Sequence, residues 1–310
     1  MENKVGLENL KEGINQLLSE LTPVEEYKIN FDKKHYNPVN KDAKILLKRD
    51  DKFVIGFANG GKLRQAVTLL LKNKEKIISE NNGSVVCSCS IKSPQSGITA
   101  TACKLFGFKC NIVTFKTKEG NSNLTIAKKE GAEFYGSPSG YNSVIDSYAK
   151  KYFPNDFFTK MGFSAIEIID ANVGQVENIP DVLDYLVIAV GSAMNLISVL
   201  KGIEKYHKKV RKIIGVWVGK EPFSNLERYY GKTNLNLELV KYDKPYGTWV
   251  DIDNCFFDPI YEAKAYDWLL TNLDCKNNKV MLWVIGKRNL EIVPESIIFK
   301  EFNNDERRLK

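Results

Sequence analysis

Histidine is scarce in this chain of 310 residues: only His35 and His207 occur. A Ser-His-Asp triad or a histidine-rich metal centre therefore has little material to work with. His207 lies in KYHKKVRK, a charged helical end that reads as a solvated face. No run of about 18 apolar residues exists, so no membrane-spanning helix and no membrane partner is expected. The first 21 residues alternate charged and apolar positions at helical spacing, without the apolar block of a signal peptide, and a cytoplasmic protein is expected. The six cysteines (Cys87, Cys89, Cys103, Cys110, Cys255, Cys275) show no C-x-x-C spacing. Reduced core thiols are expected, not a disulfide framework, and no metal. Low-complexity segments, internal repeats and a G-x-G-x-x-G dinucleotide fingerprint are also missing.

What is present is a globular composition, 43% hydrophobic and 27% charged, long enough for one large or two modest domains. The net charge of +7 permits attraction to nucleic acid or anionic cofactors, and lysine-rich helix faces account for it equally well. Residues 5–21 read as an amphipathic helix, with Leu7, Leu10, Ile14, Leu17 and Leu18 on one face. Strands are expected at 43–48, 84–89, 110–115, 132–136, 184–190, 212–218 and 280–285. Helices are expected at 62–79, 98–106, 121–131, 141–153, from the 191–195 turn to about 206, and at 261–273. Strands alternating with helices imply an α/β fold of mostly parallel sheets covered on both faces. A break at Pro154-Asn155-Asp156 suggests two α/β lobes with a ligand cleft between them: a large lobe from 1–62 and 155–310, and a small lobe from 63–154.

The stretch GFANGGK, Gly56 to Lys62, fits the first seven positions of a nucleotide phosphate loop. That loop needs Ser or Thr after the lysine to hold Mg²⁺, and Leu63 stands there. Two glycines let a flat group approach the backbone. A lysine in the first turn of a helix meets the positive end of the dipole, and burial would lower its pKa further. Such an amine is a nucleophile suited to Schiff-base chemistry with an aldehyde.

Four segments, in order, resemble the second structural class of pyridoxal-phosphate enzymes, the tryptophan-synthase-β-like superfamily. The nearest likeness is to its aminocyclopropane-carboxylate deaminase and D-cysteine desulfhydrase branch. Lys48-Arg49-Asp50-Asp51 and Gly60-Gly61-Lys62-Leu63-Arg64 resemble the branch's K-R-[ED]-D and G-G-N-K-x-R, with one residue absent between the glycines and the lysine. SIKSPQSGITATACKLFGFKCNIVTF, from Ser90, resembles the substrate-carboxylate loop and its following helix. LVIAVGSAMNLISVLKGI, residues 186–203, resembles the phosphate loop, poorer in glycine than usual. Tyr246-Gly247 and Asp258-Pro259-Ile260-Tyr261 resemble the branch's Y-G and D-P-V-Y, while its H-T-G-G has only a loose counterpart in Val284-Ile285-Gly286-Lys287.

The resemblance implies a pyridoxal 5'-phosphate enzyme working as a homodimer on a small amino acid, by deamination, β-elimination or β-replacement. It implies Lys62 as the cofactor lysine, with Gly191, Ser192, Ala193, Met194 and Asn195 on the phosphate and Gln95 near the ring. Ser93, Gln95, Ser96 and Gly97 would grip the substrate carboxylate, and Ser93 and Tyr246 would serve catalysis. Pro94 replaces an asparagine of the branch. Two alternatives stay open: a viral enzyme of the same cofactor class that remodels an amino-acid group on a DNA base, and a decayed binding protein of the same fold.

Overall fold

Strands and helices alternate along the chain as its apolar runs require. The computed structural model describes residues 2–31, 35–118, 120–219, 221–252 and 256–302, and the side chains of residues 2–10 are not among them. Cys255, Leu7 and Leu10 from the sequence reading therefore lie outside the described side chains. In order come α1 (Glu2–Ser19), β1 (Val24–Lys28), β2 (Lys44–Arg49), β3 (Val54–Ile55), β4 (Ala58–Asn59), α2 (Gly61–Lys72) and α3 (Lys74–Glu80). Then follow β5 (Ser84–Ser88), α4 (Gln95–Phe106), β6 (Lys109–Phe115), α5 (Ser122–Lys129), β7 (Glu133–Ser137), α6 (Asn142–Tyr152) and β8 (Phe157–Thr159). A 3-10 run, Ile166–Val176, leads to β9 (Val182–Val190), α7 (Met194–Lys205), β10 (Lys209–Trp217), α8 (Phe223–Tyr229) and β11 (Leu237–Lys241). The chain closes with α9 (Glu262–Asn272), β12 (Val280–Val284) and β13 (Phe299–Lys300). No helix among the described residues is long and apolar enough to cross a membrane.

The chain divides into two compact units: residues 1–53, 59–68 and 166–287 form the first, and 54–58, 69–165 and 288–310 the second. The first holds a six-stranded sheet in the order β1-β2-β12-β9-β10-β11. All its pairings are parallel except β1 with β2. Every residue of β12 is buried, because it lies between β2 and β9 with both faces covered. Trp283 can sit there only because its indole N–H finds Asp50 Oδ2 at 2.7 Å. Edge strand β1 carries Glu25 and Glu26, paired with Arg49 and Lys44, which blunts the edge against further pairing. Those two glutamates hide the strand from an apolar-run search.

The second unit has a five-stranded parallel sheet in the order β13-β7-β6-β5-β8. Its strands β5 and β6 are buried runs, as expected. Two-residue β13 carries no periodic signal of its own. The Lys300 ammonium meets Glu133 at 2.5 Å, and the Phe302 ring stacks on Tyr152 at 4.0 Å. Cys87, Cys89, Cys103 and Cys110 in this unit, and Cys275 in the first, are free thiols, all buried.

Two expectations are corrected. The helix read over 62–79 is two helices that meet at Asn73, whose backbone N–H and side-chain amide both donate to the Leu69 carbonyl and close off the first of them. The helix read from Ile98 starts at Gln95, since Pro94 is already in the helical region (φ −69°) and its carbonyl accepts the Ile98 N–H.

In the first unit α7 lies on the 3-10 run with no spare room. A Cβ at Gly202 would come 2.3 Å from Val176 Cγ2 and 2.7 Å from the Val173 carbonyl oxygen. Alanine gains about 1 kcal/mol over glycine inside a helix, but overpacking against backbone costs about 1–3 kcal/mol. Gly202→Ala is therefore expected to lose roughly 1 kcal/mol or more in urea unfolding, where a gain would show that the interface yields.

Candidate active site

The lysine loop is built by close backbone approach in the first unit. Gly60 has φ +95°, and a Cβ there would stand 2.3 Å from the Ile285 carbonyl oxygen. The Gly61 N–H donates to that same carbonyl at 2.8 Å. Asn59 adds two side-chain bonds, its amide donating to the Lys287 carbonyl and accepting the Lys287 N–H, each at 2.8 Å. The segment 285–287, which the sequence matched only loosely, is thus the bed on which the lysine loop lies. Lys62 is the second residue of α2. Its side chain is half-buried, yet protein surrounds the amine closely enough that lost hydration lowers its pKa from 10.5 to about 8, with the charge of Glu262 pulling the other way.

The turn after β9 lies in the same unit. Ala193 holds a left-handed conformation (φ +64°), a geometry that glycine adopts freely and alanine does not, at about 1–2 kcal/mol. It stands directly before the first residue of α7, so the unpaired N–H groups of a 12-residue helix begin at this turn. Asn225 donates to the Ser192 carbonyl at 2.8 Å. Asn172 donates to both the Gly61 carbonyl (3.0 Å) and the Asn195 Oδ1 (2.7 Å), which brings the lysine loop and the turn together.

Tyr246 belongs to this neighbourhood too. Its hydroxyl lies 3.0 Å from that of Tyr261, and a Cβ at Gly191 would meet the Tyr261 ring at 3.3 Å. Buried Lys264 fixes the Tyr246 backbone by donating to the carbonyls of Pro245 and Tyr246, each at 2.9 Å. Sequence reasoning took 258–261 as structural and missed Tyr261 and Glu262. The buried Glu262 accepts the Ile285 N–H at 3.2 Å, and burial together with the nearby Asp258 holds its carboxyl well above the usual carboxylate range. Burial likewise raises the Tyr261 hydroxyl. A glutamate in the first turn of a helix reads as an ordinary dipole partner. Only its burial marks it out. Asp258 does cap the turn, accepting from Ile260 and Tyr261, but the regular helix starts at Glu262.

The loop at 90–97 lies in the second unit. Ser93 and Pro94 are half-buried, whereas Gln95, Ser96 and Gly97 are buried. Ser93 Oγ accepts the Gln95 N–H at 3.2 Å. The Gln95 side chain is committed within the unit, donating to the Lys160 carbonyl (2.9 Å) and accepting the Gly162 N–H (2.7 Å). Gly97 is the third residue of α4, and a Cβ there would meet Ile126 of α5 at 2.9 Å, so close helix packing requires a glycine at this position. Asn121 pins the Ile91 carbonyl (2.6 Å), and Arg288 pins that of Lys92 (3.2 Å).

Comparison with known proteins gives the following. A family described as Pyridoxal-phosphate dependent enzyme matches residues 35–234. The O-seryl-dTMP PLP-dependent decarboxylase of Salmonella phage ViI is 27% identical over 168 residues, covering 48% of this chain and 39% of the phage protein, which is less than half of that relative's length. Among solved structures, an ACC deaminase homologue superposes with a TM-score of 0.68 at 19% identity, covering 88% of this chain and 94% of its own. O-acetyl serine sulfhydrylase isoform 3 from Entamoeba histolytica superposes at 0.58 with 15% identity, covering 89% of each chain. An O-ureido-L-serine synthase does so at 0.58 with 14% identity, covering 88% of this chain and 91% of its own. The fold is that of tryptophan-synthase-β-like, fold-type II proteins.

An amine with a pKa near 8 reacts at pH values where exposed lysines, at about 10.4, are still protonated. Labelling the cofactor-free protein with an acylating reagent across a pH series, read by peptide mass spectrometry, should give Lys62 a midpoint near pH 8. A midpoint shared with the exposed lysines would refute the lowered pKa.

Proposed function

The chain belongs to the pyridoxal-phosphate dependent enzyme family, and we propose that it performs carbanion chemistry at the amine-bearing carbon of an amino-acid group. We take the preferred substrate to be a seryl-type group carried on a pyrimidine nucleotide, with loss of the α-carboxyl as the outcome. What supports the chemistry is the pairing, in one unit, of a lowered-pKa amine at Lys62 with a left-handed turn at the start of α7, where one Asn172 amide donates both to the Gly61 carbonyl beside Lys62 and to Asn195 of that turn. What supports the substrate is the sequence similarity to the phage decarboxylase of O-seryl-dTMP.

The residues fit the cofactor. A flat glycine pair and a deprotonatable amine suit an aldehyde on a ring, and a helix N-terminus suits its phosphate. Lys62 holds the cofactor through Nζ, and the turn from Gly191 to Asn195 holds the phosphate. Bound there, pyridoxal phosphate supplies an electron-withdrawing ring that stabilises negative charge at the substrate α-carbon. Once the substrate's own amine has taken its place on the cofactor, the freed Lys62 amine would deliver the proton that replaces the lost carboxyl at that carbon. The hydroxyl of Tyr246, 3.0 Å from that of Tyr261, holds a transferable proton. Burial holds the Glu262 carboxyl toward its neutral form, so it does little to offset the lost hydration that favours the neutral amine at Lys62. The enzyme works as a cytoplasmic homodimer, a compartment in keeping with its free, buried thiols.

A second substrate class has its own support. The order of motifs at 48–51, 60–64 and 258–261 resembles the deaminase branch, which acts on free amino acids.

Reconstituted wild-type protein should show a visible absorbance band that Lys62→Ala lacks. Release of CO₂ from O-seryl-dTMP, without ammonia from D-cysteine or an aminocyclopropane acid, is the expected outcome. The reverse pattern assigns the free amino acid. Cofactor binding without turnover of any of them would mark a binding protein and overturn the proposal.

A further inference from the structure

Asn172 sits in the 3-10 run of the first unit, 1% exposed, and every polar atom of its amide is used. Nδ2 donates to the Gly61 carbonyl and to Asn195 Oδ1 at 3.0 and 2.7 Å, while Oδ1 accepts from Arg64 Nη1 at 3.1 Å. Arg64 is fully buried, lies over the Phe53 ring at 4.1 Å and faces Asp50 at 4.0 Å. Asp50 is itself fixed by the Trp283 indole (2.7 Å) and the Thr22 hydroxyl (2.8 Å). The arrangement has no slack: a Cβ at Gly61 would stand 3.0 Å from Asn195 Oδ1 and 3.1 Å from Asn172 Nδ2. A side-chain amide is the group that can give two bonds and take a third from one planar end.

We propose that Asn172 is a positioning residue for the cofactor, setting the distance between the residue before Lys62 and the turn that opens α7. This rests on the assignment of Lys62 and 191–195 as the two cofactor anchors. A rigid cofactor held at both ends requires its anchors at one separation, and a shift near 1 Å at either end is enough to lose the fit. Asn172 fixes that separation because its two donor bonds go to the two elements that carry the anchors. Arg64 and Asp50, tied to β12 through Trp283, hold the amide in its orientation.

Titration well below the melting temperature separates positioning from plain core stability. Asn172→Asp keeps an acceptor for Arg64 and adds a charge attraction, but has no N–H for Gly61 or Asn195. Its second oxygen would face the Gly61 carbonyl and Asn195 Oδ1, so a lower melting temperature of the cofactor-free protein is expected, together with cofactor binding weakened about tenfold or more by absorbance titration well below that temperature. Asn172→Ser, which also loses both bonds without burying a charge, should show the same loss of binding and serves if the aspartate variant does not fold. Wild-type cofactor affinity in either folded variant overturns the inference. So does an affinity that returns to the wild-type value once each variant is titrated well below its own melting temperature. Lys62→Ala is the control on the premise: a visible band that survives there overturns the anchor assignment itself, whereas its disappearance beside normal binding in the Asn172 variants overturns only the positioning role.

Discussion

The approach of Gly60 to the Ile285 carbonyl is the constraint from which the first unit's site follows. With the glycine at φ +95° and no Cβ between them, the chain leaving the β3–β4 hairpin lies flat on the segment after β12. The Gly61 N–H then closes on the same carbonyl, and α2 begins at a fixed place with Lys62 in its first turn. Any side chain at position 60 would collide with backbone, not with a flexible neighbour, so little relaxation is available. Polar contacts then branch from this line of contact: Asn59 to Lys287, Glu262 to Ile285, and Asn172 to Gly61 and Asn195.

The electrostatics of the unit follow from the same burial. Lys62 and Lys48 both have their pKa lowered to about 8 by lost hydration, but their situations differ. Lys48 is fully buried and gives its protons to the Thr22 carbonyl (2.6 Å) and Asn178 (2.7 Å), a structural use of charge in the core. Lys62 is half-buried and stands opposite a carboxyl that is itself held toward its neutral form. Burial alone thus does not separate the two lysines; the hydrogen bonds that commit the Lys48 amine to the core do.

The α/β class and the mostly parallel sheets were legible because the central strands are near-continuous apolar runs, as in DYLVIAV and VMLWVI. Polar or short elements escaped. VEEYK of β1 reads as surface, β8 and β13 are too short to show a period, and the 3-10 run at 166–176 has no helical stripe. In the candidate site, Lys62 was visible through two glycines at a helix start, and the 191–195 turn through its place between a strand and a helix. Asn172, Tyr261 and Glu262 were not, because a buried amide, phenol or carboxyl gains its role from partners distant in sequence. The glycine-poor turn has its own lesson: Ala193 adopts the left-handed geometry, so the count of glycines understated what the backbone does there.

Strand β2, at residues 44–49, has β12, at residues 280–284, as its parallel neighbour. A growing polypeptide therefore holds β2 half-paired while all of the chain between these two strands is made. The four strands β5 to β8, by contrast, span only residues 84–159 and can assemble early. Until β12 emerges, β2 has its charged edge neighbour β1 as its one partner in the sheet, and in that interval the nascent chain is vulnerable to pairing with the wrong strand.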